Sequence, residues 1–198
     1  MMKIGLTGGI ASGKSTVSAM IKDFGIPVVD ADRISREVVE PGEEAYKQIV
    51  ASFGSEILFD NGQINRKKLG NIVFQDADKR QMLNRIVHPQ VRKSMLQKVN
   101  AYERQGEAVT VLDIPLLFES KLTEMVDKTL LVYVDAKTQL ERLMNRDQSS
   151  EKEALDRIRS QMPLDEKRAL VDAVIDNNGS TEETLHQLKR IFRLWHIF

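Results

Sequence analysis

Gly8-Gly9-Ile10-Ala11-Ser12-Gly13-Lys14-Ser15 decides the reading of this chain. The octet fits Gly-x4-Gly-Lys-Ser without a gap. A short apolar strand, residues 3–6, leads in, and a helical pattern, residues 14–24, leads out. Those surroundings are what a phosphate-binding loop (P-loop) needs. Glycines let the main chain curl until several N–H groups point into one hollow. The helix that starts there adds the positive end of its dipole and its first-turn donors. Gly8, Gly9, Ala11, Ser12, Gly13, Lys14, Ser15 and Thr16 are therefore the expected contacts to a nucleoside triphosphate. Lys14 is placed to reach the β- and γ-phosphates, and the Ser15 hydroxyl to ligate Mg2+.

Outward from that loop, apolar β-branched runs recur at 27–30, 108–113, 128–135 and 173–176, between long helical patterns. Short, continuously apolar strands alternating with helices predict a buried parallel sheet of the α/β class. Two segments add little to it. Residues 34–106 read as almost wholly helical, with a turn at Asp60-Asn61-Gly62 and a break at His88-Pro89. Residues 136–171 are helical and dense in charge. The expected organisation is one domain: a core at 1–33 and 107–198, an inserted helical acceptor lobe at 34–106, and a lid at 136–171. The last helix, 181–198, carries Leu185, Leu188, Ile191, Phe192 and Trp195 on one stripe, which predicts packing on the sheet.

The chain has 198 residues, with 29 Lys and Arg against 29 Asp and Glu. A net charge of zero argues against a general nucleic-acid binder or a membrane-surface protein. The absence of cysteine excludes disulfides and thiolate metal sites. No stretch reads as a signal peptide or a membrane span, so a cytoplasmic enzyme is expected.

Four of the five strand patterns finish in aspartate: Asp30, Asp113, Asp135 and Asp176. Ligands of open parallel sheets bind beyond the carboxyl ends of the strands, so these carboxylates are expected near the phosphates. Asp135, followed by a helix, reads as an N-cap, and Asp176 reads as a turn residue. Asp30-Ala31-Asp32 is more pointed, because in an extended segment both carboxylates face one side. Phosphoryl transfer to a hydroxyl gains from a carboxylate that aligns the nucleophile and takes its proton. Asp32, farther from the sheet, is the candidate base. Asp113 stands where a metal-holding aspartate would, although a turn before Pro115 explains it equally well. Arg142 and Arg146 share a helix face and could neutralise a transferring phosphoryl group. Glu141 and Asp147 stand beside them as competing partners.

At this point the residues match a family. The chain resembles dephospho-CoA kinases from about Lys3 to Gly179, nearly its whole length. The resemblance is carried by Leu6 to Thr16, by Asp30-Ala31-Asp32, and by Val38-Val39-Glu40-Pro41-Gly42. It continues in His88-Pro89, Pro115-Leu116-Leu117-Phe118-Glu119, Gln139-Leu140-Glu141-Arg142 with Arg146-Asp147, and Asp176-Asn177-Asn178-Gly179. It implies a P-loop kinase fold: a five-stranded parallel sheet, a helical lobe holding the acceptor, and a lid over ATP. It implies transfer of the γ-phosphoryl of ATP to the ribose 3′-hydroxyl of dephospho-CoA, the last step of coenzyme A synthesis. By the same match Asp32 is the base and Arg142 a lid arginine on the phosphates. Asn177, Asn178 and Gly179 form the loop beside the adenine. The family often has Gly where this chain has Ala11, a small change expected to be harmless. Two alternatives keep the loop. One is another small-molecule or nucleotide kinase on this fold. The other, more remote, is a regulatory GTPase, against which stands the absence of an Asn-Lys-x-Asp guanine reader.

Overall fold

The computed structural model describes residues 1–198. Its five strands are β1 (Met2–Gly8), β2 (Val28–Asp30), β3 (Val109–Asp113), β4 (Lys128–Tyr133) and β5 (Ala173–Asp176). They form one parallel sheet in the order β2-β3-β1-β4-β5. The central strand β1 pairs with β3 and β4, and β4 with β5. Leu130, Leu131 and Val132 of β4 are all fully buried. That is why the strand reads as a continuous apolar run rather than an alternating one.

The chain divides into two compact units. The larger comprises residues 1–29 and 102–198, the smaller residues 30–101. The boundaries fall at 29/30 and 101/102, where the sequence pattern suggested 33/34 and 106/107. In the larger unit, α1 (Lys14–Asp23) and α9 (Thr181–Leu194) bring Val17, Ile21, Leu188, Ile191 and Phe192 against Ile4, Leu6, Val111, Leu130, Val132 and Ile175. Each such buried side chain contributes about 1.5–3 kcal/mol relative to exposure. The apolar stripe of the last helix is therefore sheet-facing. Its start is set by Ser180 and Glu183, whose side chains and backbone N–H groups cap each other. On the opposite face lie Leu131, Val134 and Leu164, the last from α8 (Leu164–Arg168). Between β4 and α8 run α6 (Ala136–Asp147) and α7 (Glu151–Arg159).

The smaller unit contains α2 (Ala31–Glu37), α3 (Glu44–Phe53), α4 (Arg66–Gln75) and most of α5 (Ala77–Arg104). Its own core is Ile49, Phe53, Ile57, Ile64 and Leu69. The Asp60-Asn61-Gly62 turn is present. Gly62 takes φ 82°, and Leu58 and Ile64 bridge in antiparallel fashion across the turn.

The break expected at His88-Pro89 does not occur: α5 is one helix of 28 residues with Pro89 inside it. Proline removes one helical N–H and crowds the carbonyl four residues back. Arg85 and Pro89 both lie on the exposed side, where water can satisfy that carbonyl. Replacing Pro89 with Ala should therefore stabilise the protein by about 1–3 kcal/mol. Urea denaturation checks this, and an unchanged or lower stability would mean that the proline is matched to its surroundings.

Candidate active site

The phosphate loop starts at the last residue of β1 and ends in the first turn of α1, so sheet and helix fix both of its ends. Two residues between them take positive φ: Ala11 at 59° and Gly13 at 87°. At Gly13 a Cβ would stand 2.1 Å from Asn177 Nδ2, so only glycine fits. A Cβ at Gly8 would stand 2.6 Å from Ser12 Oγ. Ala11 is less innocent than the sequence suggested, because its methyl group in the left-handed region costs about 1 kcal/mol. Ser12 is 1% exposed, and its hydroxyl has no partner within the protein. Ser15 and Thr16 are exposed on the first turn of α1.

Lys14 Nζ is ion-paired with Asp113 Oδ1 at the end of β3. Beside the two roles that the sequence left open for Asp113, metal ligand or turn residue, the structure gives it a third: it holds the loop's lysine. The other strand-end carboxylates act on the backbone. Asp135 lies two residues beyond β4 and caps α6 by accepting from Thr138 N and Oγ1, both at 2.8 Å. Those bonds hold its carboxyl below the ordinary range. Asp176 accepts from Asn178 N at 2.9 Å.

The Asn177-Asn178-Gly179 loop lies against the phosphate loop. Asn177 donates to Ser12 O at 2.8 Å and accepts from Thr184 Oγ1 at 2.7 Å, both buried. Asn178 Oδ1 accepts from Asp135 N. Asn178 and Gly179 also line a cavity of about 580 Å3 with Asp176, Glu183, His186 and Gln187.

Arg142 is half-buried on α6. Arg146 is held by Asp147, with Nε–Oδ1 at 2.7 Å and an NH2–Oδ2 contact at 3.0 Å, and Arg157 of α7 joins the same carboxylate. The competing partner has therefore taken Arg146, which is not presented as a bare phosphate ligand. Asp32 belongs to the smaller unit. The segment expected to be extended turns into helix at once: Asp30 caps α2 by accepting from Arg33 N at 2.9 Å, which places Asp32 in the first helical turn. The two carboxylates nevertheless line one cavity of about 530 Å3, shared with Arg33, Arg36, Glu37 and Glu40.

The family profile described as CoaE, dephospho-CoA kinase, matches residues 2–183. This chain belongs to the dephospho-CoA kinase family. A dephospho-CoA kinase of Oceanobacillus iheyensis is 59% identical over 194 residues, covering 98% of each chain. The solved structure of TT1252 from Thermus thermophilus is 35% identical with a TM-score of 0.83, over 98% of this chain and 97% of that one. A solved dephospho-CoA kinase from Campylobacter jejuni is 28% identical with a TM-score of 0.74, over 96% and 95%.

Four side chains around this kinase-family loop carried no assignment in sequence. Gln139 and Gln161 bond the loop's backbone. Lys167, fully buried, contacts Glu119 Oε1 at 2.9 Å and Pro115 O at 3.0 Å. A buried ammonium is tolerated only when paired and hydrogen-bonded in this way. Glu119 and Gln139 lie inside motifs that carried the family resemblance, but their partners are more than 40 residues away in sequence, so no local spacing pointed to the pairs.

Arg146, with Arg157 as second donor, holds Asp147 well below the usual carboxylate value, at about 2. A carboxyl depressed in the folded state contributes above its ordinary titration range, and the contribution is lost as pH falls toward 2. An NMR titration should place the Asp147 midpoint near 2. Arg146→Gln should raise it more than Arg157→Gln does; the reverse order would contradict this geometry.

Proposed function

We propose that this protein transfers the γ-phosphoryl group of ATP to the ribose 3′-hydroxyl of dephospho-CoA, yielding ADP and coenzyme A. The observation that carries the reading is the loop from Gly8 to Ser15, with its positive-φ residues and its lysine, in a chain of the dephospho-CoA kinase family. A buried Ser12 hydroxyl without a protein partner suits a ligand-facing loop, because such a group is costly to leave unbonded.

In this reading the loop's N–H groups and Lys14 hold the triphosphate. The acceptor's oxygen attacks the γ-phosphorus in line while the bond to the β,γ-bridging oxygen breaks. Asp32 aligns the hydroxyl and takes its proton. Arg142 neutralises charge that spreads onto the transferring oxygens. Arg146 assists only if it leaves Asp147; otherwise it holds that carboxylate, which Arg157 of α7 also meets. Asn178 and Gly179 border the adenine, and Asn177 supports the loop from behind. Of the lid expected at 136–171, Leu164 and Lys167 of α8 are buried in the larger unit, so it is the outer part of α6 and α7 that closes, excluding water and suppressing hydrolysis of ATP.

Ser15 would hold Mg2+. An exposed hydroxyl in the first helical turn suits that ion, and no cluster of three carboxylate or imidazole side chains offers a separate cage. Mg2+ keeps waters and substrate phosphates as most of its ligands. When bound it would neutralise charge shared by the β- and γ-phosphate oxygens.

The acceptor falls to the smaller unit. There one face of α5 borders a cavity of about 710 Å3 that includes Arg85, His88, Arg92, Lys93 and Leu96. Cations beside apolar surface match an acceptor that carries a diphosphate on an aliphatic arm. Burial and the neighbouring Arg92 hold His88 below its ordinary range, so it stays neutral near pH 7.

Offering Mg-ATP with dephospho-CoA, shikimate, gluconate and nucleoside monophosphates in turn tests the acceptor. Mass analysis should show one added phosphoryl group on dephospho-CoA alone, and preference for another acceptor would overturn the reading. Asp32→Asn should lower kcat by about 100-fold or more while leaving ATP affinity near wild type. Wild-type turnover in that variant would remove Asp32 from the role of base.

A further inference from the structure

Ile10 lies in the middle of the phosphate loop, and both of its backbone polar groups leave the loop for side chains. Its N–H donates to Gln161 Oε1 at 2.9 Å. Its carbonyl accepts from Gln139 Nε2, also at 2.9 Å. The two glutamines are distant in sequence but related in the fold. Gln139 sits in the first turn of α6, and Gln161 lies two residues beyond the end of α7. They are the two roots of the helical hairpin formed by α6 and α7.

Each root is itself held. Gln139 is 6% exposed, and Asp135 caps its helix. The bond from Gln139 exists because residue 9 is glycine: a Cβ there would stand 2.7 Å from Gln139 Nε2. Next to Gln161, Met162 N donates to Glu119 Oε1 at 3.0 Å, the same oxygen that meets the buried Lys167. Neither glutamine can shift far without breaking bonds elsewhere in its root. Immediately after Ile10 the chain enters its left-handed turn at Ala11. Fixing the peptide groups on both sides of Ile10 therefore fixes the direction from which that turn starts.

We propose that Gln139 and Gln161 are positioning residues that lock the phosphate loop to both roots of the hairpin, so that the loop's amides and the hairpin are set together. The proposal rests on the assignment of residues 8–15 to the triphosphate. The chemistry of the two bonds is opposite: Gln161 serves only as an acceptor, Gln139 only as a donor. One substitution, Gln to Glu, therefore separates them. Glu can still accept from Ile10 N at position 161, whereas at position 139 it sets a carboxylate against the Ile10 carbonyl.

Steady-state kinetics on the full chain with Mg-ATP and dephospho-CoA is the test. Gln139→Met and Gln161→Met keep the length of the side chain and remove the bond. Each should raise KM for ATP about 3- to 10-fold, the range expected for loss of one neutral hydrogen bond. The kcat at saturating ATP and KM for the acceptor should change by less than about twofold, since neither glutamine meets the acceptor. Gln161→Glu should lie nearer to wild type than Gln161→Met, while Gln139→Glu should be worse than Gln139→Met. Amide exchange at Ile10 in the folded protein should quicken in Gln161→Met and stay slow in Gln161→Glu, a readout independent of turnover. Unchanged KM for ATP in both Met variants, or the same ranking of Glu and Met at both positions, overturns the proposal. Lys14→Ala separates the two levels of failure. If it leaves KM for ATP unmoved, the phosphate assignment fails and the lock falls with it. If it raises KM while the Met variants do not, the lock alone fails.

Discussion

Between Gly8 and Lys14 the main chain reverses through two left-handed residues, and much of the larger unit is arranged to hold that reversal. Within the loop Ser12 N donates to Gly9 O at 3.1 Å, and the rest of its shape is imposed by neighbours. β1 anchors the start and α1 the end. Asn177 holds Ser12 O from behind, and Gln139 and Gln161 hold Ile10 from either side. The glycines at 8, 9 and 13 are the other half of the same constraint. Each stands where a methyl group would collide with one of the surrounding side chains: Ser12, Gln139 and Asn177.

The sheet explains why those neighbours arrive at one place. In a parallel sheet every strand delivers its carboxyl end to the same edge. Gly8 of β1 is level with Val132 of β4, Leu6 with Asp113 of β3, and Tyr133 of β4 with Asp176 of β5. Asp113 therefore comes within reach of Lys14, and the Asn177 loop reaches Ser12, although they are far apart along the chain. Charge at this edge is not left loose. Lys14 has Asp113, and Lys167 has Glu119 and the Pro115 carbonyl. A site that handles phosphates needs cations, and cations near buried surface are stable only when partnered.

Much of this architecture was legible in the chain. The octet at 8–15, the five apolar runs, the capping role of Asp135 and the turn role of Asp176 each rest on spacing within a few residues. The misreadings share one cause. At His88-Pro89 a local breaker rule yielded to a long helix whose exposed side tolerates the missing bond. At Asp30-Ala31-Asp32 an extended segment was expected, but Asp30 caps a helix and changes the direction of Asp32. The role of Asp113 stayed open rather than misread, and the partner it has, Lys14, lies 99 residues away.

Sequence by itself settled the class of the fold, the phosphate loop and the kinship with dephospho-CoA kinases, because glycine freedom, helix caps and apolar periodicity act over short spans. Tertiary structure alone decided which side chains brace the loop: Asn177, Gln139, Gln161 and, through Glu119, Lys167. Their bonds cross more than 40 positions of chain. Such pairs exist only after the strands have aligned, since a hydrogen bond needs its two groups within about 3 Å of each other.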